Sequence, residues 1–347
     1  MAFSLCALST NFIDLMYSED MSRAANRSLS RLPDFLVIGA PKAGTTALHA
    51  ALAQHPQLHL SSPKEPKYFL CRDAPPPSYR GPGDAHSVQE WVWRRQDYEA
   101  LFASAPVDAL CGESTPFYLY DTDAQRRIAQ TLPNVRLIAV LRDPVDRLYS
   151  NWMHLWADGL EPISDVVQAC AAELDRIDRG WAPFWHYRSL GMYGRQLLAL
   201  YETFDRDQVL VLRYRELVDT PDSTLDRVCR FLGVDEGAVT SVPSDNSRPY
   251  VQPTMRTRML APVVRTGARV GALFPPHMWR GASKPLLTSL QTGGDAGRPP
   301  LRTEARARLL EPFISDIALL EQVTGQSFED WRGHVDRGSF KVRAGQA

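Results

Sequence analysis

The stretch Asp34-Phe-Leu-Val-Ile-Gly-Ala-Pro-Lys-Ala-Gly-Thr-Thr46 decides the fold. Its first half is a short apolar run that ends at Gly39, which is typical of a buried strand in a parallel sheet. The residues from Thr45 to His55 place their apolar side chains on one side, so they predict a helix. The glycine-rich turn between strand and helix offers backbone N–H groups, with a helix N-terminus behind them. Such a turn forms a cradle for an anion.

The position of the lysine separates this loop from that of an ATPase. A Walker A loop carries lysine directly after its second glycine, whereas here Thr45 holds that place and Lys42 lies inside the loop. The positive charge is therefore placed differently along a bound phosphate chain. The alternative interpretation of the stretch on its own is a glycine turn with a solvated lysine.

A second basic motif, Leu141-Arg-Asp-Pro-Val-Asp-Arg-Leu-Tyr-Ser-Asn-Trp152, follows the strongest strand pattern of the chain. Arg142 leaves the carboxyl end of that strand, the edge at which open α/β sheets bind ligands. Asp143 and Pro144 are typical of the cap and first residue of a helix, and Ser150 lies on that helix. A forked arginine and a hydroxyl suit a second phosphate, although a surface ion pair is the alternative for Arg142. We expect Arg147 to pair with Asp143 one turn earlier.

The rest of the chain alternates between predicted strands and helices. This alternation predicts an α/β fold with a parallel sheet flanked by helices. We predict further strands at 57–60, 109–114, 135–141 and 208–212, helices at 89–104, 121–132, 189–204, 220–232 and 303–323, and a loop at 280–300.

The composition excludes several classes of protein. Lys and Arg number 39 and Asp and Glu 40 among 347 residues, so the net charge of −1 argues against wholesale binding to nucleic acid or to an anionic membrane. The five cysteines are scattered, which indicates reduced thiols without a zinc site and a cytoplasmic protein. No apolar run reaches about 18 residues, so we expect no membrane span. We predict a disordered tail at 1–32, one domain at 33–335 and a C-terminal tail at 336–347.

These motifs together resemble the sulfotransferase family that uses 3′-phosphoadenosine 5′-phosphosulfate (PAPS). Pro41 to Thr46 is similar to its 5′-phosphosulfate motif, and Arg142 to Ser150 is similar to its 3′-phosphate motif. Lys64-Glu-Pro-Lys-Tyr-Phe69 and Gly112-Glu-Ser-Thr-Pro-Phe-Tyr118 resemble segments of its carbohydrate, heparan-type branch. The resemblance covers roughly residues 33–332 and implies a single P-loop-like α/β domain with the sulfotransferase fold.

The resemblance also implies roles for particular residues. Lys42 would sit on the bridging or leaving oxygen, and a metal would not be required because lysine and the helix dipole supply the charge. The product would be adenosine 3′,5′-bisphosphate. The residues implied to bind the donor are Lys42, Ala43, Gly44, Thr45 and Thr46 at the 5′ side, Arg142 and Ser150 at the 3′-phosphate, and Arg248 in a loop that closes over the donor.

The acceptor needs a general base, and the resemblance implies Glu65 for that role. Lys64 and Lys67 beside it would hold an anionic acceptor or lower the pKa of Glu65. The alternative is a solvated carboxylate in a Lys/Glu cluster. Glu113 and His154 are the reserve candidates for the base.

The expected function is therefore sulfuryl transfer to a hydroxyl or amine of a carbohydrate or glycosylated small molecule. The first alternative is a P-loop kinase or NTPase, because residues 135–143 form a strand that ends near an aspartate, like a Walker B motif. The second is a non-catalytic nucleotide-binding relative. The family's animal carbohydrate enzymes carry a Golgi membrane anchor; we expect this chain to lack one and to be a soluble relative.

Overall fold

A computed structural model describes residues 31–71, 73–243, 251, 255–271, 285 and 299–333. Residues 1–30, nearly all of the predicted N-terminal tail, lie outside the described residues, as do the C-terminal tail and Arg248. Most of the predicted loop at 280–300 also lies outside them. The domain limits 33–335 stay a prediction.

The described residues form one parallel sheet of five strands, as the alternation of strands and helices predicts. The strand order is β2-β3-β1-β4-β5, so β1 lies at the centre. Phe35 of β1 lies opposite Gly112 of β3 on one side and Arg136 of β4 on the other. The strands are β1 (Phe35–Gly39), β2 (Leu58–Leu60), β3 (Leu110–Ser114), β4 (Arg136–Leu141) and β5 (Val209–Arg213).

Helices connect and flank these strands. They are α1 (Thr45–Leu52), α2 (Tyr68–Cys71), α3 (Asp84–Ser87), α4 (Arg95–Ala100), α5 (Thr122–Thr131), α6 (Pro144–Ala157), α7 (Val166–Ala171), α8 (Glu173–Asp178), α9 (Tyr193–Tyr201), α10 (Tyr214–Asp219), α11 (Pro221–Leu232), α12 (Met255–Gly271), α13 (Thr303–Leu310) and α14 (Ile314–Thr324).

The apolar runs form these strands because both sheet faces are covered. Every residue of β1 is buried, and so is every residue of β4 after Arg136. Aspartates cap α5 and α6. Asp121 accepts a hydrogen bond from the Ala124 backbone N–H (2.8 Å), and Asp143 caps α6 ahead of Pro144. The cap at Asp143 was expected from the sequence.

Three predicted helices differ from the structure. The helix predicted at 189–204 is shorter than expected, because α9 covers only Tyr193–Tyr201 and a 3₁₀ turn, Ser189–Gly191, precedes it. The helix predicted at 89–104 is wrong in length, because α4 covers only Arg95–Ala100. The segment before α4 is extended, and the Val92 backbone N–H donates to the Pro66 carbonyl (2.9 Å). The helix predicted at 303–323 is divided into α13 and α14 by a short 3₁₀ turn, Glu311–Phe313. Pro312 explains the break, because its ring lacks an N–H and crowds the preceding turn.

Two further observations concern the surface and the thiols. Among the helices that the structure describes, none combines the length and the apolar character that a membrane crossing needs. The four cysteines within the described ranges are free thiols.

Candidate active site

The ends of three neighbouring strands meet at one edge of the sheet. β1 lies between β3 and β4, and the three strands are parallel, so the loops that follow them are neighbours. β2 and β3 lie on one side of β1, and β4 and β5 lie on the other, so the strand order reverses at β1. Ligands bind at such a reversal of strand order in open α/β sheets. The predicted site residues that the structure describes follow these strands or lie in loops beside them.

The loop between β1 and α1 provides the predicted anion cradle. Lys42 and Gly44 both adopt left-handed backbone conformations, with φ of 68° and 89°. A Cβ at Gly44 would approach the Tyr214 ring to 2.8 Å, so glycine is required for space as well as for its backbone angle. Within α1, no acidic residue occupies the first turn and no side chain caps it. The first N–H groups of α1 are therefore suited to an anion.

The Lys42 ammonium lies 3.2 Å from Nδ1 of His154 on α6. On the other side of the imidazole, Nε2 lies 3.5 Å from an Asp158 carboxylate oxygen. The carboxylate favours the tautomer with hydrogen on Nε2, which leaves Nδ1 to accept from Lys42. In this conformation the His154 imidazole thus contacts the Lys42 ammonium.

Arg142 links the second motif to the first. Its guanidinium donates to the Lys42 carbonyl (3.3 Å) and lies 4.7 Å from the centre of the Tyr214 ring. Ser150 lies on α6 one turn before His154, on the same side of the helix. The structure therefore brings together the two motifs predicted to hold two phosphates.

Asp143 and Arg147 do not pair as expected. Arg147 is completely buried and donates to Asn151 Oδ1 (3.0 Å) and to the Tyr187 carbonyl. Asp143 instead forms an ion pair with Arg306 of α13 (2.5 Å). The expectation failed because Arg147 faces the protein interior, where its partners come from α6 itself and from a distant loop.

Glu65 lies in a strained, positively charged segment. Glu65 and Lys67 both have left-handed backbones, with φ of 61° and 63°. Lys64 contacts one carboxylate oxygen of Glu65 at 2.7 Å and Lys67 the other at 3.7 Å. Partial desolvation by itself raises the pKa of Glu65, but the charges of Lys64, Lys67 and Lys42 and the hydrogen bond from Lys64 together lower it. The side chain is 29% exposed, so the ionised carboxylate is within reach of an acceptor.

Glu113, the first reserve candidate, lies beneath this segment. It is fully buried and accepts hydrogen bonds from the hydroxyls of Tyr118 (2.8 Å), Thr115 (2.8 Å) and Tyr98 (3.3 Å). Burial raises its pKa to about 7, against the effect of these hydrogen bonds. Thr115 also accepts from the Lys67 backbone N–H (3.2 Å). Glu113 therefore supports the Glu65 segment from below and has no surface with which to touch an acceptor.

Sequence reasoning missed two residues of this site. Tyr214 contacts both phosphate motifs, and its place directly after β5, at the same sheet edge, was the available clue. His49 on α1 bonds the Ser114 hydroxyl (2.9 Å). Burial and the charge of Lys64 lower the pKa of His49 to about 4, so the imidazole is neutral at physiological pH.

An aromatic surface, formed by half-buried Trp91, Phe117 and Phe184, connects the two ends of the site. The Lys67 ammonium lies 5.5 Å from the Trp91 ring centre and 5.8 Å from that of Phe117. Phe117 contacts Phe184 edge-to-face (6.2 Å), and Phe184 contacts His154 in the same way (5.3 Å). Contacts therefore run without a break from Glu65 through the aromatic surface to Lys42.

The remaining candidates lie away from these contacts or outside the described residues. Arg248 and its neighbour Asn246 are outside them. Tyr193 is 1% exposed and packs against Trp331, which places it in the core. Within the described ranges, no group of three or more His, Cys, Asp or Glu side chains is arranged to hold a metal ion.

Comparison with known proteins agrees with this geometry. A family model described as "Sulfotransferase family" matches residues 33–237. The chain belongs to the sulfotransferase family. The matched region includes both phosphate motifs, Glu65 and Glu113, and the family assignment favours a sulfotransferase over the kinase alternative. The crystal structure of a sulfotransferase from Alicyclobacillus acidocaldarius is similar to this protein. The alignment covers all of that chain and 87% of this chain, at 25% sequence identity and a TM-score of 0.67.

Two curated sulfotransferases are also similar in sequence. Mouse bifunctional heparan sulfate N-deacetylase/N-sulfotransferase 3 is 29% identical over 215 residues, which are 60% of this chain and 23% of the relative. Human carbohydrate sulfotransferase 15 is 26% identical over 268 residues, covering 62% of this chain and 47% of the relative. The chain thus spans less than half the length of these relatives.

Proposed function

We propose that this protein transfers a sulfuryl group from PAPS to a hydroxyl or amine of a carbohydrate-type acceptor. The observation that carries the proposal is the bond between the two phosphate motifs, in which Arg142 donates to the carbonyl of Lys42. A donor with phosphates at two separate positions fits two linked basic sites better than a single triphosphate chain does. The names of the two curated relatives support a carbohydrate acceptor.

The donor would be held by the segments that follow β1 and β4. The uncapped start of α1, with Lys42 and the backbone of Ala43 to Thr46, is suited to the 5′ side. Arg142 and Ser150 are suited to the 3′-phosphate. Arg142 is kept in place by the Tyr214 ring, and a planar guanidinium can bind two phosphate oxygens at once.

The chain's own residues then divide the chemistry. Sulfuryl transfer joins the acceptor oxygen or nitrogen to sulfur and breaks the bond from sulfur to the bridging oxygen of the 5′-phosphate. Lys42 would neutralise the charge that gathers on the leaving phosphate. Glu65 would take the proton from the acceptor, because its carboxylate is ionised and partly exposed.

The acceptor would lie between Lys42 and Glu65, against the aromatic surface. The flat faces of Trp91, Phe117 and Phe184 suit the C–H faces of a sugar ring, and Lys64 and Lys67 suit an acidic group on it. An acidic acceptor that binds Lys64 would also loosen its contact with Glu65. The pKa of Glu65 would then rise, which would make the carboxylate a better base.

The test is transfer of radiolabel from ³⁵S-labelled PAPS to matched acidic and neutral oligosaccharides. We expect labelled product with PAPS, a preference for acidic acceptors, and no product from Lys42→Ala. Phosphate transfer from ATP in the presence of Mg²⁺, without use of PAPS, would refute the proposal. A protein that binds PAPS but labels no acceptor in an extract of the native organism would favour the non-catalytic alternative.

A further inference from the structure

Helix α13 (Thr303–Leu310) contributes a charge to the donor site from outside the region that the family model matches. That region ends at residue 237. Arg306 of α13 lies 2.5 Å from an Asp143 carboxylate oxygen and 2.9 Å from one of Asp146. Both aspartates lie at the start of α6, between Arg142 and Ser150. The single arginine therefore pairs with two carboxylates beside the place proposed for the 3′-phosphate.

The two carboxylates differ in their freedom to move or to change charge. Asp143 uses its other oxygen to cap α6, accepting from the backbone N–H groups of Val145 (2.9 Å) and Asp146 (3.0 Å). Its side chain is 14% exposed, against 45% for Asp146. Burial raises the pKa of Asp143 to about 6; Asp146 adds to the shift and Arg306 opposes it. Arg306 thus helps to keep a buried carboxylate ionised directly after Arg142.

Two negative charges at this position would oppose a bound phosphate. They would repel the anion, and they would compete with it for the guanidinium of Arg142. Asp143 is not dispensable, since it caps the helix that carries Ser150. A third group that neutralises the acids without occupying Arg142 resolves this conflict, and Arg306 has the geometry for it.

We propose that Arg306 is a positioning residue for the donor's 3′-phosphate, which it favours by pairing with Asp143 and Asp146 so that Arg142 remains available to the anion. The inference rests on the proposed function, since it takes Arg142 as the 3′-phosphate ligand. Arg306 acts through the two aspartates: its guanidinium is occupied by them, and its side chain is only 22% exposed. The proposal makes α13 a working part of the donor site.

The anchoring of α13 supports a fixed position for Arg306. Leu309 and Leu310 of the same helix are buried in the core. Just before α13, the Pro299 carbonyl accepts a hydrogen bond from the Tyr149 hydroxyl of α6 (3.1 Å). The helix is therefore attached to α6 independently of the ion pair, so removal of the Arg306 charge should leave α13 docked.

The experiment measures the affinities for adenosine 3′,5′-bisphosphate and for AMP, which lacks the 3′-phosphate. Arg306→Gln should lower the affinity for the bisphosphate by about tenfold and change the affinity for AMP by less than about threefold. The matched control is Arg308→Gln, which removes the same charge from the exposed side of the same helix and should change neither affinity. Equal losses for both ligands in Arg306→Gln, or no loss, would overturn the inference.

A second variant separates charge from structure. Asparagine caps helices about as well as aspartate does, so Asp143→Asn removes the charge and keeps the cap. Adding it to Arg306→Gln should restore most of the affinity for the bisphosphate. A double variant as weak as Arg306→Gln alone would show that Arg306 does not act through the charge of Asp143.

A third variant distinguishes failure of the inference from failure of the proposed function. Arg142→Ala should lower the affinity for the bisphosphate far more than the affinity for AMP. If it lowers both affinities equally, the 3′-phosphate is held elsewhere, and the proposed donor site and this inference fail together. If Arg142→Ala is selective and Arg306→Gln is not, the inference alone fails.

Discussion

Glu65 and Glu113 are carboxylates of the same site whose surroundings give them opposite properties. Glu65 is partly exposed among lysines, and its pKa is lowered; Glu113 is buried among hydroxyls, and burial raises its pKa to about 7. Thr115 joins the two regions, because it bonds the Glu113 carboxylate and the backbone of the Glu65 segment. The contrast shows that the environment, rather than the residue type, decides the charge state of a carboxylate and its access to solvent.

The largest expected effect is the loss of turnover when the Glu65 carboxylate is removed. Glu65→Gln should lower kcat by about 10² to 10⁴, because it removes the proton acceptor and keeps the shape of the side chain. Donor affinity should change little. Single-turnover sulfuryl transfer, together with equilibrium binding of adenosine 3′,5′-bisphosphate, measures the two quantities separately.

The matched control is Glu113→Gln, which should lose far less kcat than Glu65→Gln. Unchanged turnover in Glu65→Gln would remove Glu65 as the base. The role would then pass to His154, provided that His154 can leave Lys42 when the acceptor binds.

The second prediction concerns the effect of buried Glu113 on the stability of the protein. The pKa of Glu113 is about 7 in the folded protein, against an ordinary value of 4.5. Between these values the unfolded chain loses the proton and the folded one keeps it. The free energy of unfolding should therefore fall as the pH rises from about 5 to about 8, with about 2 to 3 kcal/mol coming from this group.

Urea unfolding of the wild type and of Glu113→Gln at several pH values tests this slope. The variant has no titratable group at this position, so its free energy of unfolding relative to the wild type should improve by that amount as the pH rises. A difference between the two proteins that stays constant with pH would show that Glu113 is already ionised in the fold.

The third prediction concerns Thr115, which connects Glu113 to the Glu65 segment. Thr115→Val keeps the volume but removes a donor to Glu113 and the acceptor of the Lys67 N–H. Unfolding should require about 1 to 2 kcal/mol less free energy, and kcat should fall because the Glu65 segment loses a support. The control is Ser114→Ala, since the Ser114 hydroxyl bonds His49 instead. A loss of stability without any loss of kcat would show that Thr115 does not position Glu65.

The sequence predicted those parts of the molecule that depend on local pattern. β1 and β4 are buried on both faces, so their apolar runs were clear, and the phosphate motifs follow them directly. Arg306 lies 163 residues from Asp143, and no local pattern indicates that pair. For the same reason the burial of Arg147 was missed. The choice between Glu65 and Glu113 was open because it depends on desolvation, which requires the packed structure.

The smallest expected effect concerns how strongly Lys64 and Lys67 each lower the pKa of Glu65. Lys64 lies closer to the Glu65 carboxylate than Lys67 does, at 2.7 Å against 3.7 Å. Lys64→Ala should therefore raise the pKa of Glu65 more than Lys67→Ala does, although by less than about one pH unit because solvent screens the pair. A base must be ionised to act, so the acidic limb of the kcat/KM profile should move to higher pH in the same order. If the two variants shift the limb equally, or not at all, the group that titrates there is not Glu65, and the contrast with Glu113 would no longer explain which carboxylate does the chemistry.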